Sequence, residues 1–273
     1  MQELPEQIEE AAGYLKGRVP HNPDYGLILG TGLGDLADEA EDRIVVPYAS
    51  IPHFPRATAP GHKGNLVFGT LSGKRVVMMQ GRFHTYEGHT QKQCTMPVAV
   101  MRELGVHTLF ATAATGGLDH TMEAGAMMLI SDHINFTGTN PLIGPHHEST
   151  GPRFPVMFDC YDPGLRKLAH EAALAENLRL HEGVYCGITG PVFFTRAELR
   201  MLMSWGAHSI GMSTVPEVIV ARQRGMRVLG IAVISDMAIP DSGHHSDEAE
   251  ILAIARETGP KFRRLLKAIL ARI

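Results

Sequence analysis

The sequence is poor in cysteine and has no long apolar run. Its three cysteines, Cys94, Cys160 and Cys186, are widely spaced, odd in number and form no CxxC pair. This pattern fits buried thiols in a reducing compartment rather than a disulfide framework. The N-terminus is acidic and lacks an apolar signal core, and the longest apolar runs are too short to cross a bilayer. We therefore expect a cytoplasmic protein without a membrane partner.

The sequence also lacks a strong excess of acidic or basic residues, and it contains no recognisable set of metal ligands. The formal net charge is -4, so bulk electrostatics give no reason to expect a nucleic-acid partner. Fifteen histidines include the pairs His146-His147 and His244-His245. Adjacent side chains diverge on a helix or a strand, and no cysteine or carboxylate completes a site. We expect loop histidines and no metal.

What the chain does contain is an alternation of strand-like and helix-like segments. Hydrophobic residues make up 44%, enough to fill a core, and no repeat or linker divides the sequence. Residues 1–273 are therefore predicted to form one α/β domain with a mixed β-sheet flanked by helices. Ser72-Gly73 indicates a hairpin turn. Ser246 is the expected N-cap of a terminal helix, which Gly259-Pro260 is expected to kink or split.

Chemically distinctive residues fall at the ends of predicted strands. In α/β sheets ligands bind at the carboxyl ends of the strands. The five segments concerned are residues 30–34, 80–84, 111–117, 211–213 and 235–236. Their common position predicts a single composite site.

The segment GRFHTYEGH is the most informative of these. Arg82 can bind an oxyanion through two parallel hydrogen bonds, and His84 lies on the same side of an extended chain. Tyr86 continues that side and offers a ring and a hydroxyl to a sugar. Glu87 can orient a donor or fix a histidine tautomer. A solvated charged face is the alternative, but it would not need the interleaved glycine and aromatic residues.

Other motifs leave alternatives open. The glycine-rich turn around Thr31 suits phosphate or is a plain tight turn, and its GxGxG spacing disfavours a dinucleotide. His62 stands between glycines in a loop. Ser213 or Thr214 either contacts a ligand or caps the following helix.

Together these motifs resemble the trimeric purine nucleoside phosphorylase family, the branch that includes methylthioadenosine phosphorylase. The resemblance covers nearly the whole chain. It is carried by LILGTGLGDL, APGHKGNLVFG, MQGRFHTYEGH, ATAATGGL and GAHSIGMSTVPEVIVAR. It implies a nucleoside phosphorylase-like fold, a homotrimer, and cleavage of a purine nucleoside by inorganic phosphate without a metal or organic cofactor.

The resemblance also implies residue roles. Phosphate is expected to contact Thr31, His62, Arg82, His84, the backbone of Ala114, and Ser213. Tyr86 and the backbone of Met212 are expected at the ribose, and Glu87 beside the phosphate. The base is expected among Phe193, Phe194, Ile210, Gly211 and Asp236, with Asp236 facing N7. His84, Glu87 and Asp236 are the expected catalytic residues.

Two positions depart from the pattern of the family's 6-oxopurine enzymes, which carry Glu and Asn there. Phe194 cannot accept from N1–H of a 6-oxopurine, and an ionised Asp236 would repel O6. A protonated Asp236 can donate to N7 and accept from a 6-amino group, and burial against apolar neighbours raises a carboxyl pKa in that direction. The sequence therefore predicts preference for adenosine-type substrates. A Phe194 that merely packs, in a 6-oxopurine enzyme, is the alternative.

Further alternatives concern the 5′ group and the class of protein. A methylthioadenosine phosphorylase would need an apolar 5′ pocket, and His244 or His245 is a candidate for a 5′-hydroxyl contact. Thr150 stands where the family has an aromatic residue lent by a neighbouring subunit, and His146 or His147 is a candidate replacement. An inactive nucleoside-binding protein is disfavoured by the joint presence of Arg82, His84 and Ser213, and a nicotinamide oxidoreductase by the glycine spacing.

Overall fold

A computed structural model describes residues 4–59, 61–243 and 247–273, in which helices and strands alternate as expected. The helices are α1 (Leu4–Lys16), α2 (Gln91–Glu103), α3 (Pro163–Ala175), α4 (Arg196–Ser204), α5 (Val215–Gln223) and α6 (Glu248–Leu270). The strands are β1 (Tyr25–Leu29), β2 (Glu41–Pro47), β3 (Asn65–Leu71), β4 (Lys74–Gln80), β5 (Thr108–Gly117), β6 (Met127–Asn135), β7 (His181–Gly187), β8 (Ser209–Gly211) and β9 (Arg227–Met237).

These strands form one mixed sheet in the order β2-β3-β4-β1-β5-β8-β7-β6-β9. A further parallel pairing between β5 and β9 closes the last five strands into a ring. The predicted hairpin joins β3 to β4, and its turn residues Ser72 and Gly73 have φ of 50° and 72°. Positive φ at both positions gives the turn whose twist matches that of the flanking strands. The prediction of an α/β fold with a mixed sheet is confirmed.

Helices cover both faces of the sheet because strand side chains alternate between faces. Ile28 and Met79 belong to the apolar cluster that α1, α2 and α5 complete. Their neighbours Leu27 and Met78 point the other way, into the cluster that α3 and α6 complete. All three cysteines are buried and free. No helix in the described ranges is long and apolar enough to cross a membrane.

The terminal helix differs from expectation in two details. Its N-cap is Asp247, whose carboxylate accepts from the backbone N–H of Glu250, and the predicted cap Ser246 lies outside the described residues. Of the two effects expected of Gly259-Pro260, the split is absent, since α6 continues to Leu270. An interior proline removes one backbone hydrogen bond at a cost of about 3 kcal/mol. Burial of the apolar face of α6 against α3 and β9 outweighs that cost.

Candidate active site

Five segments that end or follow strands line one cavity of about 590 Å³. The strands β1, β4, β5 and β9 are mutually parallel, so their carboxyl ends meet at one edge of the sheet. The short β8 pairs with β5 at Gly116 and Gly117 and brings its own end to the same place. The convergence expected from the sequence is therefore present in the fold.

Most residues predicted for the site lie on the cavity wall. They are Thr31, Arg82, His84, Tyr86, Ala114, Phe193, Phe194, Ile210, Gly211, Met212, Ser213 and Asp236. The other two lie directly behind it. His62 Nε2 is 3.4 Å from the Thr31 hydroxyl, and Glu87 Oε1 is 2.9 Å from His84 Nδ1.

Glu87 connects His84 to the loop at Thr58. Its Oε1 accepts from the backbone N–H and Nδ1 of His84, both at 2.9 Å, and its Oε2 accepts from the backbone N–H and hydroxyl of Thr58, both at 2.6 Å. Burial would raise the pKa of Glu87, but the hydrogen bonds from His84 and Thr58 outweigh burial and lower it to about 2. An ionised carboxylate only accepts, so neutral His84 carries its hydrogen on Nδ1 and presents Nε2 as an acceptor.

The two histidines at this end are packed in a stack. The ring of His84 lies between those of His62 and Tyr86, with centroid distances of 5.3 Å and 4.5 Å. Gly81 permits this packing, because a Cβ there would lie 2.6 Å from the Cβ of His62. Burial lowers the pKa of His62 to about 4 and lowers that of His84 as well; a protonated His84 would oppose protonation of His62 further. Burial raises the pKa of Tyr86 to about 12, so near neutral pH all three rings are uncharged.

Arg82 supplies the positive charge of the site. Its side chain is fully buried, and Nη1 donates to the carbonyl oxygen of Thr112 at 2.5 Å and to the hydroxyl of Ser213 at 3.1 Å. Nε donates to Glu217 at 3.0 Å. The guanidinium is therefore fixed beside Ser213 before any anion arrives, as oxyanion stabilisation requires.

Ser213 is held by a strained turn. The next residue, Thr214, is buried and has φ of 70°, a conformation rare for a β-branched residue. The hydroxyl of Tyr185 donates to the carbonyl oxygen of Ser213 and accepts from its N–H. Thr214 is the N-cap of α5, but its side chain makes no capping hydrogen bond. The capping alternative for Ser213 is thus wrong, since its hydroxyl meets Arg82 instead.

The other end of the cavity is mainly apolar. Phe194 packs edge-on against Phe136, with ring centroids 6.0 Å apart, and contacts a cluster that includes Ile210. Phe193 lies on the rim, 68% exposed. Asp236 Oδ1 accepts from the Ser235 hydroxyl at 3.4 Å. This wall suits a flat apolar ring with a polar edge.

Sequence reasoning missed Tyr185, Glu217, Glu248 and Ile251. Glu248 and Ile251, on the first turn of α6, line the cavity, but their local sequence pattern did not predict a place in the site. Glu217 had a signal, because it is an acidic residue inside the otherwise apolar stretch VPEVIVA. A charge in a buried helix requires a partner.

In the described ranges no group of three or more His, Cys, Asp or Glu is arranged to hold a metal ion. His146 and His147 line a separate groove between α1, α2 and α5. His244 and His245 lie outside the described residues.

This fold and cavity are those of a known class of α/β enzyme. The sequence profile of the Phosphorylase superfamily matches residues 24–271. The chain is 47% identical to purine nucleoside phosphorylase 1 of Bacillus subtilis, covering 98% of this chain and 99% of that protein. It is 44% identical to the purine nucleoside phosphorylase of Bos taurus, covering 98% and 95%. The Schistosoma mansoni purine nucleoside phosphorylase in complex with adenosine superposes with a TM-score of 0.93 at 38% identity, covering 98% and 97%.

The chain therefore belongs to the purine nucleoside phosphorylase family, and it is a pentosyltransferase of that type. Structures of the Schistosoma mansoni enzyme also exist with inosine, at 37% identity, a TM-score of 0.93 and coverage of 98% and 96%. Complexes with both a 6-amino and a 6-oxo nucleoside are thus known among proteins similar to this chain.

Proposed function

We propose that this enzyme uses inorganic phosphate to cleave the N-glycosidic bond of purine nucleosides, with a preference for 6-aminopurines such as adenosine. The products are the free base and ribose or deoxyribose 1-phosphate. One cavity that joins the Arg82–Ser213 pair to the Phe194–Asp236 wall carries this proposal. Phosphate is the co-substrate, and no metal or organic cofactor is needed.

In the proposed reaction the bond from C1′ to the purine nitrogen breaks and its electrons leave with the base. Phosphate stabilises the oxocarbenium-like sugar and forms the new C1′–O bond. Arg82, Ser213, Thr31 and the N–H of Ala114 bind the dianion, while Nε2 of neutral His84 accepts from a protonated phosphate oxygen. His62 and Glu87 act from behind this set. Positioning of the anion beneath C1′ is thus the main catalytic effect at this end.

The sugar and base occupy the remainder of the cavity. Tyr86 and the backbone of Met212 contact the ribose, and Phe193, Ile210 and Gly211 enclose the purine ring. Asp236, when protonated, donates to N7 and so stabilises the departing base.

The preference for a 6-amino group follows from Phe194 and Asp236. Phe194 packs among apolar side chains and offers no acceptor to N1–H of a 6-oxopurine. A protonated Asp236 that donates to N7 can accept from a 6-amino group with its other oxygen. An unpaired buried polar group costs roughly 1–3 kcal/mol, which corresponds to about a 5- to 150-fold preference. The relatives bind nucleosides of both kinds, so the argument depends on these two side chains.

Glu248 supports adenosine over methylthioadenosine. It lines the cavity, and its charge contributes to the raised pKa of Tyr86, so the carboxylate lies near the predicted ribose site. A carboxylate accepts from a 5′-hydroxyl, whereas a thioether offers it no donor. Methylthioadenosine phosphorylase remains the alternative.

We also propose a cytoplasmic homotrimer acting in purine salvage. The loop that contains Ile143, Phe154, Val156 and Phe158 exposes all four apolar side chains, which supports association with further copies. Light scattering after size-exclusion chromatography should give three times the chain mass of 29.7 kDa. A monomer at micromolar concentration would contradict the trimer.

The catalytic proposal is tested by measuring base release from adenosine, inosine, guanosine and methylthioadenosine, with and without phosphate. We expect release only with phosphate and fastest from adenosine. Clear preference for inosine would contradict the specificity, and phosphate-independent release would contradict the reaction.

Asp236→Asn sharpens this test. Asparagine can donate to O6, so the ratio of kcat/KM for inosine to that for adenosine should rise by about 5- to 150-fold. Asp241→Asn, an exposed carboxylate paired with Arg200, is the matched control. An unchanged ratio in Asp236→Asn would remove Asp236 from the base site.

A further inference from the structure

Glu217 is a buried carboxylate with an unusual position. It lies in the first turn of α5 and is 3% exposed, and the other buried members of that helix are almost all apolar. Burying a carboxylate is unfavourable unless a cation and hydrogen bonds compensate for lost hydration. Its presence here requires an explanation beyond helix packing.

Its sole hydrogen-bond partner among the described residues is Arg82. Oε1 accepts from Arg82 Nε at 3.0 Å, and Oε2 is buried without a hydrogen bond. Glu217 does not line the cavity, whereas Arg82 does. The carboxylate therefore acts on the site only through the guanidinium.

Three acceptors from two separate parts of the chain fix that guanidinium. Glu217 takes Nε, while Nη1 donates to the Thr112 carbonyl oxygen and to the Ser213 hydroxyl. Nη2 is buried and has no protein partner in the described ranges. An arginine has five N–H donors, and this arrangement leaves those of Nη2 for a ligand.

The same short segment provides both Glu217 and Ser213. The strained Thr214 and the start of α5 lie between them, so the geometry of one turn sets the spacing of the hydroxyl and the carboxylate. Arg82, on a different element, is held against both. Such a shared support gives a buried donor set one orientation.

We propose that Glu217 is a positioning residue for phosphate, which fixes Arg82 through Nε so that its Nη donors are presented to the anion. Its negative charge also limits how tightly Arg82 holds phosphate or a sugar phosphate. Phosphate is the co-substrate of the proposed function, on which this role depends.

Two substitutions of Glu217 separate the effect of its hydrogen bond to Arg82 from the effect of its negative charge. Glu217→Ala removes both the acceptor and the charge, and Glu217→Gln keeps an oxygen for Nε while removing the charge. Gln223→Ala, a buried polar side chain near the other end of α5, is the matched structural control. For each protein we would measure phosphate Kd by calorimetry without nucleoside, KM for phosphate and adenosine, kcat and the melting temperature.

Glu217→Ala should raise phosphate Kd and KM by roughly tenfold or more, since a hydrogen bond to a charged group is lost, and leave adenosine KM unchanged. Glu217→Gln should bind phosphate more tightly than the wild type, because the acceptor for Nε stays and the opposing charge is removed. Gln223→Ala should lower only the melting temperature. If Glu217→Ala fails to fold, the phosphate Kd of Glu217→Gln decides.

The role is overturned if Glu217→Gln leaves phosphate Kd unchanged or raises it, or if Glu217→Ala leaves phosphate Kd unchanged. It is also overturned if Glu217→Ala raises adenosine KM as much as phosphate KM. A wild-type protein that binds phosphate but releases no base would contradict the proposed function, while the Kd comparison would still decide the role of Glu217. A wild type that binds no phosphate overturns both.

Discussion

The two ends of the cavity are built in different ways. At the end assigned to phosphate, Arg82 and His84 are buried and held by hydrogen bonds to several elements. At the end assigned to the base, Phe193 is 68% exposed and Phe194 is held by ring packing. One end is a connected polar network, and the other is a wall of separately packed side chains.

This difference indicates where specificity can change. Removing one member of a buried network leaves its partners without hydrogen bonds, so Arg82, Glu217 and Ser213 constrain one another. An apolar wall tolerates exchange of one side chain at lower cost. Phosphate is the same for every nucleoside, whereas the base varies. Phe194 and Asp236, the two positions that depart from the pattern of the 6-oxopurine enzymes, accordingly lie at the end of the cavity where a substitution costs less stability.

The largest effect is expected for Arg82→Gln. Glutamine is neutral but can still donate to Glu217. The network therefore loses its positive charge, while the carboxylate keeps a hydrogen bond. Loss of a preorganised oxyanion donor lowers rates by about 10²–10³-fold, and we expect kcat/KM for phosphate to fall by at least that factor. Steady-state kinetics with phosphate as the varied substrate measure it.

Arg75→Ala is the control for this variant. Arg75 lies on β4, the strand that leads to Arg82, and pairs with Asp24, but it is about half exposed. An exposed ion pair contributes about 0.2–1 kcal/mol, so stability should change little and kinetics not at all. Equal kcat/KM for phosphate in Arg82→Gln and Arg75→Ala would contradict the proposed difference between the two ends of the cavity.

The polar end was also the easier end to predict from sequence. Arg82, His84, Tyr86 and Glu87 lie within one short segment after a strand, so spacing and residue type placed them together. The Arg82–Glu217 pair joins residues 135 positions apart. No local periodicity reveals such a contact, because it depends on how the segment after β4 and the helix α5 meet in three dimensions.

The fold shows the same limit. Apolar runs and glycine stops predicted strands, helices and the turn at Ser72-Gly73. The ring closed by β5 and β9 was not predicted, since strand order depends on non-local pairing. Ser246 and Asp247 are both good N-caps by type, so composition alone did not identify Asp247 as the cap of α6.

A second difference between the ends is that the polar end contains two histidines that are uncharged near neutral pH, His84 buried and His62 half-buried. The folded-state pKa of His62 is lowered from 6.5 to about 4, chiefly by burial. The unfolded chain therefore takes up this proton first as pH falls, and stability present above pH 6.5 is lost between pH 6.5 and 4. At about 1.36 kcal/mol per pKa unit, the loss is of order 3 kcal/mol.

Denaturant titrations at several pH values measure this loss. His62→Asn should show a shallower fall in the free energy of unfolding between pH 6.5 and 4, whatever its stability at neutral pH. His21→Asn, at an exposed position, should keep the wild-type pH dependence. If the free energy of unfolding depends on pH in the same way in the wild type and in His62→Asn, the pKa of His62 is not lowered by folding.

The smallest effect is expected at the support of the base wall. Thr195 caps α4 directly after Phe193 and Phe194, and its hydroxyl accepts from the N–H of Glu198. Thr195→Ala should lower the free energy of unfolding by about 1 kcal/mol and raise adenosine KM, because the wall loses its anchor, while phosphate KM stays unchanged. Thr90→Ala removes an equivalent cap from α2; neither Thr90 nor any residue of α2 lines the cavity, so this variant should lower stability alone. A rise in phosphate KM in Thr195→Ala would mean that the two ends are coupled rather than separately built.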